Sequence, residues 1–397
     1  MLHEALSVMV VEDHGFQRRM ALRLLAQLGV DAAHEAADGT AALATLAGRA
    51  QPVDVLMVDL DLPGMDGIEF IAHVAQRGLA RALVVVSALE PALLHTVQTM
   101  ARASGLRVLG SLEKPLTADK LAAALDRYAD ASAAVDEDAA VDVTPALVRE
   151  GLRNEEIVPW FQPQVEFGNG RAVGVEALAR WMRPDGRMIR PADFIPVIEA
   201  EGLVDTLTDR ILAHGCRWLK TWAQQGLRLK LSVNVAAGTF ADPRAADRLQ
   251  RIVLQAGVDP AEIVLELTES SLLRNAADSL GVLARLRLKG FGLSIDDFGT
   301  GYSSLAQLSD IPFSELKIDR GFVSGVDTQS RKRAVIEASL DLARKLELAT
   351  VAEGVESPEE WQLLAELGCT IAQGYLIAQA VPGEAVPDAI RRWRRPG

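Results

Sequence analysis

Cysteine is nearly absent: Cys216 and Cys369 are the only two thiols in 397 residues. They are too few and too isolated for a disulfide framework or a zinc site, so a reducing cytoplasm is the expected setting. No apolar run is long enough to span a bilayer, and Met1-Leu2-His3-Glu4 lacks the basic start of a signal peptide, so membrane insertion is not expected. Positive charge is also short, with a formal net charge of -13. Duplex DNA binding draws its affinity from clustered Lys and Arg and is excluded as a main role. The one basic run, Arg391 to Arg395, reads as a solvated helix end, and no helix-turn-helix stretch is evident.

What is present is length enough for two or three domains, each with its own core. From Ser7 to about Tyr128, short apolar strands alternate with amphipathic helices, the pattern of a doubly wound parallel sheet. The strands are expected at Ser7 to Val11, near His34 to Ala36, and at Val53 to Val58, Leu83 to Val86 and Leu106 to Leu109. Ligands in such sheets bind at the carboxyl ends of the strands. Glu12, Asp13, Asp59, Ser87 and Lys114 all fall there, three carboxylates, a hydroxyl and an amine at one sheet edge. Each alone would be an ordinary turn or cap residue; together they form a cation site beside an acceptor carboxylate.

Residues 129–144 are alanine-rich and acidic without an apolar stripe, and are expected to form a mobile or weakly helical linker. Thr144-Pro145 then offers a cap and a first-turn proline for a new helix. From 145 to 397 eight apolar runs alternate with helical segments, enough for a (β/α)₈ barrel of the usual length of roughly 250 residues. The runs centre on Trp160 to Val165, Ala172 to Glu176, Leu229 to Asn234, Ile263 to Glu266, Leu293 to Asp296, Leu316 to Ile318, Ala349 to Glu353 and Ile371 to Gln373. Seven of them end in Glu176, Asn234, Glu266, Asp296, Lys317, Glu353 or Gln373. Residues of these types suit metal or phosphate chemistry, and barrel active sites gather at that end.

The densest of these ends is Ser294-Ile295-Asp296-Asp297-Phe298-Gly299-Thr300-Gly301. Neighbours on a strand face opposite ways, so both carboxylates can share a site only where the strand stops and turns. Such a pair calls for a hard cation such as Mg²⁺ or Mn²⁺ between them, or else caps a helix near Ser303. The Asp-Phe-Gly triplet of kinases is a lookalike, but no glycine-rich phosphate loop accompanies it.

These motifs carry two resemblances. Val58 to Gly67, with Glu12-Asp13, Ser87 and Lys114, resembles a two-component receiver domain over about residues 1–128. That implies phosphorylation of Asp59 by a sensor histidine kinase or phosphotransfer protein, Mg²⁺ held by Glu12, Asp13 and Asp59, and a switch through Ser87 and Lys114. Ser111 stands where that family usually carries a switch aromatic. Glu176-Ala177-Leu178-Ala179-Arg180-Trp181 resembles the signature of the EAL family, barrel phosphodiesterases that hydrolyse cyclic di-GMP. The likeness extends through Asn234, Glu266 to Glu269, Asp296 to Ser304, Lys317 to Arg320, Glu353 to Glu356 and Gln373 to Tyr375.

The second resemblance implies a barrel with one reversed strand, Trp160 to Val165. It implies Mg²⁺ or Mn²⁺, two ions in all, on Glu176, Asn234, Glu266, Asp296, Asp297 and Glu353. Catalysis would fall to Glu353, Lys317 and Glu176, substrate contacts to Gln162, Leu178, Arg180, Asp319, Glu356 and Gln373, and a loop tether to Glu269. Arg180 and Asp319 have an alternative role as a structural ion pair. The expected function is a phosphorylation-controlled cyclic di-GMP phosphodiesterase, probed against a second expectation, a catalytically weak receptor that signals through a protein partner. No Gly-Gly-Asp/Glu-Glu-Phe segment for making the messenger occurs. A homo-oligomer is expected from the tendencies of both families.

Overall fold

The computed structural model describes residues 6–30, 32–87, 94, 96–98, 100–101, 104–136, 143–268, 276–299 and 311–396. The chain divides into two compact units, Met1–Val141 and Asp142–Gly397.

The first unit is a five-stranded sheet built from β1 (Ser7–Val11), β2 (Ala32–Ala36), β3 (Val53–Asp59), β4 (Ala80–Ser87) and β5 (Arg107–Glu113), in the order β2-β1-β3-β4-β5. Every pairing is parallel. Period two on β3 sends Leu56 and Val58 into one core with Phe70 and Ile71, and Val55 and Met57 into another with Leu25 and Leu121. Burial on both faces is what a parallel sheet requires, and it explains the unbroken apolar run. The helix Gly67–Gln76 starts hard against the end of β3: a Cβ at Gly67 would lie 2.5 Å from the Asp59 carbonyl oxygen. Only glycine allows the acceptor strand and this helix to meet so closely.

The last helix of this unit, Ala118–Asp136, runs well into the segment expected as a linker. Alanine is the best helix former, so the run extends the helix even without an apolar stripe. The rest of that segment, 137–142, lies outside the described residues.

In the second unit Thr144 caps the helix Pro145–Arg153, its hydroxyl accepting from the Leu147 amide at 3.3 Å. The barrel strands are β6 (Ile157–Glu166), β7 (Ala172–Met182), β9 (Lys230–Asn234), β10 (Ile263–Thr268), β11 (Gly292–Phe298), β12 (Glu315–Ile318), β13 (Ala349–Ala352) and β14 (Ile371–Gln373), with a short β8 (Met188–Ile189) outside β7. The ring runs β6-β14-β13-β12-β11-β10-β9-β7 and closes through β6 on β7. β6 is antiparallel to both neighbours, so it is the reversed strand. The helices pack outside through residues such as Trp222, edge-on to Phe161 at 4.9 Å.

The basic end of the chain is a solvated helix end, as expected: the helix Val386–Arg392 closes on Arg391 and Arg392, and both are exposed. Trp393 packs on Trp361 at 5.3 Å and donates to the Gly170 carbonyl at 3.0 Å, so an aromatic anchor holds the tail on the β6–β7 turn.

Candidate active site

In the first unit the ends of β1, β3 and β5 bring Glu12, Asp13, Asp59 and Lys114 together. Carboxylate oxygens of the three acids lie within 4.8 Å of one another. Lys114 Nζ donates to Asp59 Oδ2 at 2.6 Å and to Glu12 Oε2 at 2.9 Å. Burial opposes the charge on Lys114, yet these two hydrogen bonds hold its ammonium above the ordinary value. Ser87 is buried at the end of β4, the strand paired with β3.

In the barrel the strand ends converge on one ammonium. Lys317 Nζ, wholly buried, lies 2.7 Å from Glu353, 3.0 Å from Glu266, 3.4 Å from Asp296 and 3.5 Å from Glu176. Four acids facing one base cannot all be ionised without a further cation. Two unit charges about 4 Å apart repel by about 4 kcal/mol even at an effective dielectric of about 20. The strain is divided unequally. Burial pushes the Glu353 carboxyl up to about 8 and Glu266 well above its usual range. Burial also raises Glu176, but Lys317 and hydrogen bonds from Gln373 and Asn234 outweigh it and hold this carboxyl below its ordinary value. Asn234 Nδ2 donates to Glu176 Oε1 at 2.9 Å, and Gln373 Nε2 donates to Glu176 Oε2 at 2.5 Å.

The paired carboxylates need a correction. β11 does not stop at Asp296 but continues through Phe298, with a register shift against β12 between Ile295 and Phe298. Asp297 sits at φ +56°, a left-handed conformation that Asp tolerates better than most residues. This bulge, rather than the end of the strand, turns the pair toward one place. Oxygens of Asp296, Asp297 and Glu353 come within 4.8 Å of one another. Burial, then the Asp296 charge, pushes Asp297 up to about 6.

The residues fit a divalent cation. Both Glu266 oxygens are buried without a hydrogen-bond partner, Asn234 spends its amide nitrogen on Glu176 and leaves its carbonyl oxygen for an ion, and every donor is the hard oxygen such ions prefer.

Around this centre Gln162 accepts from Gln373 at 3.1 Å, and Leu178 and Arg180 line a cavity of about 460 Å³ that Asn234 also borders. Arg180 donates to the Ala179 carbonyl and makes no ion pair with Asp319. Asp319 instead caps the helix Arg320–Val323, accepting from the Gly321 amide at 2.8 Å. Glu356 pairs with Arg320 at 2.7 Å on the rim. Glu269 and residues 300–304 lie outside the described residues. Sequence reasoning missed Gln164, which is buried and donates to Gln373 Oε1 at 2.9 Å. Its place two residues after Gln162 puts both on one face of β6, which was the available signal.

Two family models match the chain: an EAL domain over residues 146–380 and a response regulator receiver domain over residues 8–126. The chain is 37% identical over 385 residues to the cyclic di-GMP phosphodiesterase RocR of Pseudomonas aeruginosa, covering 96% of this chain and 98% of RocR. It is 40% identical over 238 residues to the bifunctional diguanylate cyclase and cyclic di-GMP phosphodiesterase MucR of the same organism, covering 60% of this chain and 35% of MucR. Among solved structures, the phosphodiesterase of PaMucR in complex with c-di-GMP matches at a TM-score of 0.57 and 39% identity, over 60% of this chain and 97% of that one. The EAL enzyme Bd1971, bound to cAMP and cyclic di-GMP, matches at 0.59 and 29%, over 62% and 68%.

Proposed function

The chain belongs to the EAL domain family, with a response regulator receiver domain ahead of it, and on that premise we propose that it hydrolyses cyclic di-GMP to the linear dinucleotide under control of its receiver. The observation that carries this is Lys317, one buried ammonium within 3.5 Å of four carboxylates at the catalytic mouth of the barrel. Glu176, Asn234, Glu266, Asp296, Asp297 and Glu353 would hold Mg²⁺ or Mn²⁺, two ions in the full set. Bound there, such ions acidify water and offset charge on phosphoryl oxygens.

The chain's own groups do the rest. With the ions bound and their charge favouring its carboxylate form, Glu353 would take the proton of the water that attacks phosphorus as the bond to the departing 3′ oxygen breaks. Lys317 keeps the four acids from repelling one another and offers charge to the phosphoryl group. Gln373 and Asn234 aim the Glu176 carboxylate. Arg180 is suited to a phosphate, and Leu178, Gln162, Asp319 and Glu356 surround the place of the nucleotide. In the receiver, Asp59 accepts a phosphoryl group beside Lys114, from a histidine kinase or phosphotransfer protein.

The test is hydrolysis of cyclic di-GMP by the full chain with Mg²⁺ or Mn²⁺, beside Glu176→Ala. Linear product from the parent and a rate at least about 10³-fold lower in the variant are expected. Binding without turnover, with either metal and after treatment with a phosphodonor, would favour the receptor role instead.

A further inference from the structure

Glu360 is a buried carboxylate, 6% exposed, that the chemistry at the catalytic mouth leaves unused. It stands in the first turn of the helix Pro358–Glu366, and the capping box there accounts for one of its oxygens. Oε2 accepts the amide of Glu356 at 2.8 Å and that of Ser357 at 3.2 Å. Oε1 reaches outside the box. It accepts the Gly325 amide at 2.8 Å, from the loop that follows β12.

The other half of the same peptide group is held as well. The Ser324 carbonyl accepts from Lys332 Nζ at 2.6 Å, so a lysine of the helix Ser330–Lys345 and a glutamate of the helix Pro358–Glu366 grip one peptide bond from its two ends. Hydrogen bonds with a charged partner are the stronger kind. Burial holds the Lys332 ammonium below its ordinary value, against the nearby charges of Glu360 and Asp319.

What this grip holds is the helix Arg320–Val323, which ends at Ser324. A single turn has little helical stability of its own, since isolated helices shorter than about 12–15 residues are marginal in water. Val323, wholly buried, fixes its depth, but an apolar contact has no direction and leaves its rotation open. That rotation decides where Asp319 and Arg320 point. Arg320 lies across Gly354, where a Cβ would come 2.3 Å from its Cγ, and pairs with Glu356 at 2.7 Å. Glu353 is fixed separately, its amide donating to the Ile318 carbonyl at 3.1 Å.

We propose that Glu360, with Lys332 as its counterpart, is a positioning residue for substrate: it locks the loop after β12 to the loop after β13 and so sets Asp319 and Glu356 at the spacing the nucleotide needs. The proposal rests on the reading above, in which those two residues surround the nucleotide.

Glu360→Gln separates the two roles of the side chain. The glutamine carbonyl can stand where Oε2 stands and keep the capping box, which leaves its NH₂ group against the Gly325 amide, donor facing donor. In hydrolysis of cyclic di-GMP by the full chain, this variant should raise KM about tenfold, as for one lost hydrogen bond to a charged group, with kcat within about twofold of the parent. Lys332→Met should raise KM in the same sense. Glu359→Gln, an exposed neighbour on the same helix, should change neither constant. Hydrogen exchange at the Gly325 amide should be faster in Glu360→Gln, while the Ser357 amide exchanges as slowly as in the parent. A fall in kcat at unchanged KM, the mark of a smaller folded fraction, would overturn the proposal. So would an unchanged KM in Glu360→Gln or Lys332→Met, or unchanged exchange at Gly325. An inactive parent would overturn the phosphodiesterase reading alone, and the dissociation constant for cyclic di-GMP would then replace KM in the same comparison.

Discussion

The two acidic centres have nearly the same ingredients, several carboxylates and one lysine at strand ends, yet burial gives them different physics. Lys114 keeps a fifth of its side chain exposed and touches two acids, whereas Lys317 has none exposed and touches four. Water can screen the receiver cluster at its exposed edge. In the barrel the charges must be neutralised from within, so Glu266 and Glu353 are pushed toward their protonated forms. An open cluster suits a group that is added and removed; a closed one suits resident ions.

The sharpest way to break this comparison is to remove each lysine. Lys317→Met should cost the barrel about 3–5 kcal/mol, because it strands buried acids without their cation. Lys114→Met should cost the receiver less, about 1–3 kcal/mol, because its two charge-assisted hydrogen bonds reach buried Asp59 and Glu12 but lie at the edge of solvent. Urea unfolding followed separately for each unit reads both values, and equal costs would contradict the distinction.

A smaller effect should follow pH. The Glu353 carboxyl is raised in the folded barrel from about 4.3 in an unfolded chain to about 8, so its stabilising contribution is complete below about 4.3 and is lost as pH rises through 8. Glu266 shifts in the same direction. With chelator present, the melting temperature of the barrel should fall between pH 6 and pH 9, and added Mn²⁺ should suppress the fall. A rise over that interval would contradict the assignment.

The smallest effect belongs to Gln164→Leu. It removes the hydrogen bond that holds Gln373 against Glu176 but keeps the volume, so the fold should survive while affinity for Mn²⁺ drops about tenfold. Calorimetric titration with the ion reads it, and unchanged affinity would mean that Gln373 is held well enough by Gln162.

Much of the architecture was readable before any coordinates. All thirteen expected strands are present because each is a short apolar run bounded by turn residues, and the reversed strand was foreseen from its resemblance alone. Capping at Thr144 was equally visible, since it depends on four neighbouring residues. What could not be read depends on contacts between distant elements. The aromatic anchor at Trp393 needed Trp361 and Gly170 brought beside it.

The chain by itself determined which residue types end each barrel strand, because side-chain direction alternates with period two and polar residues there stand out against apolar runs. Tertiary structure alone decided their chemistry. Closing the ring through β6 placed four acids around Lys317, and the bulge at Asp297 turned a second carboxylate inward. The reason is physical: strand order and burial set the distance between charges and the dielectric between them, and neither quantity is local in sequence.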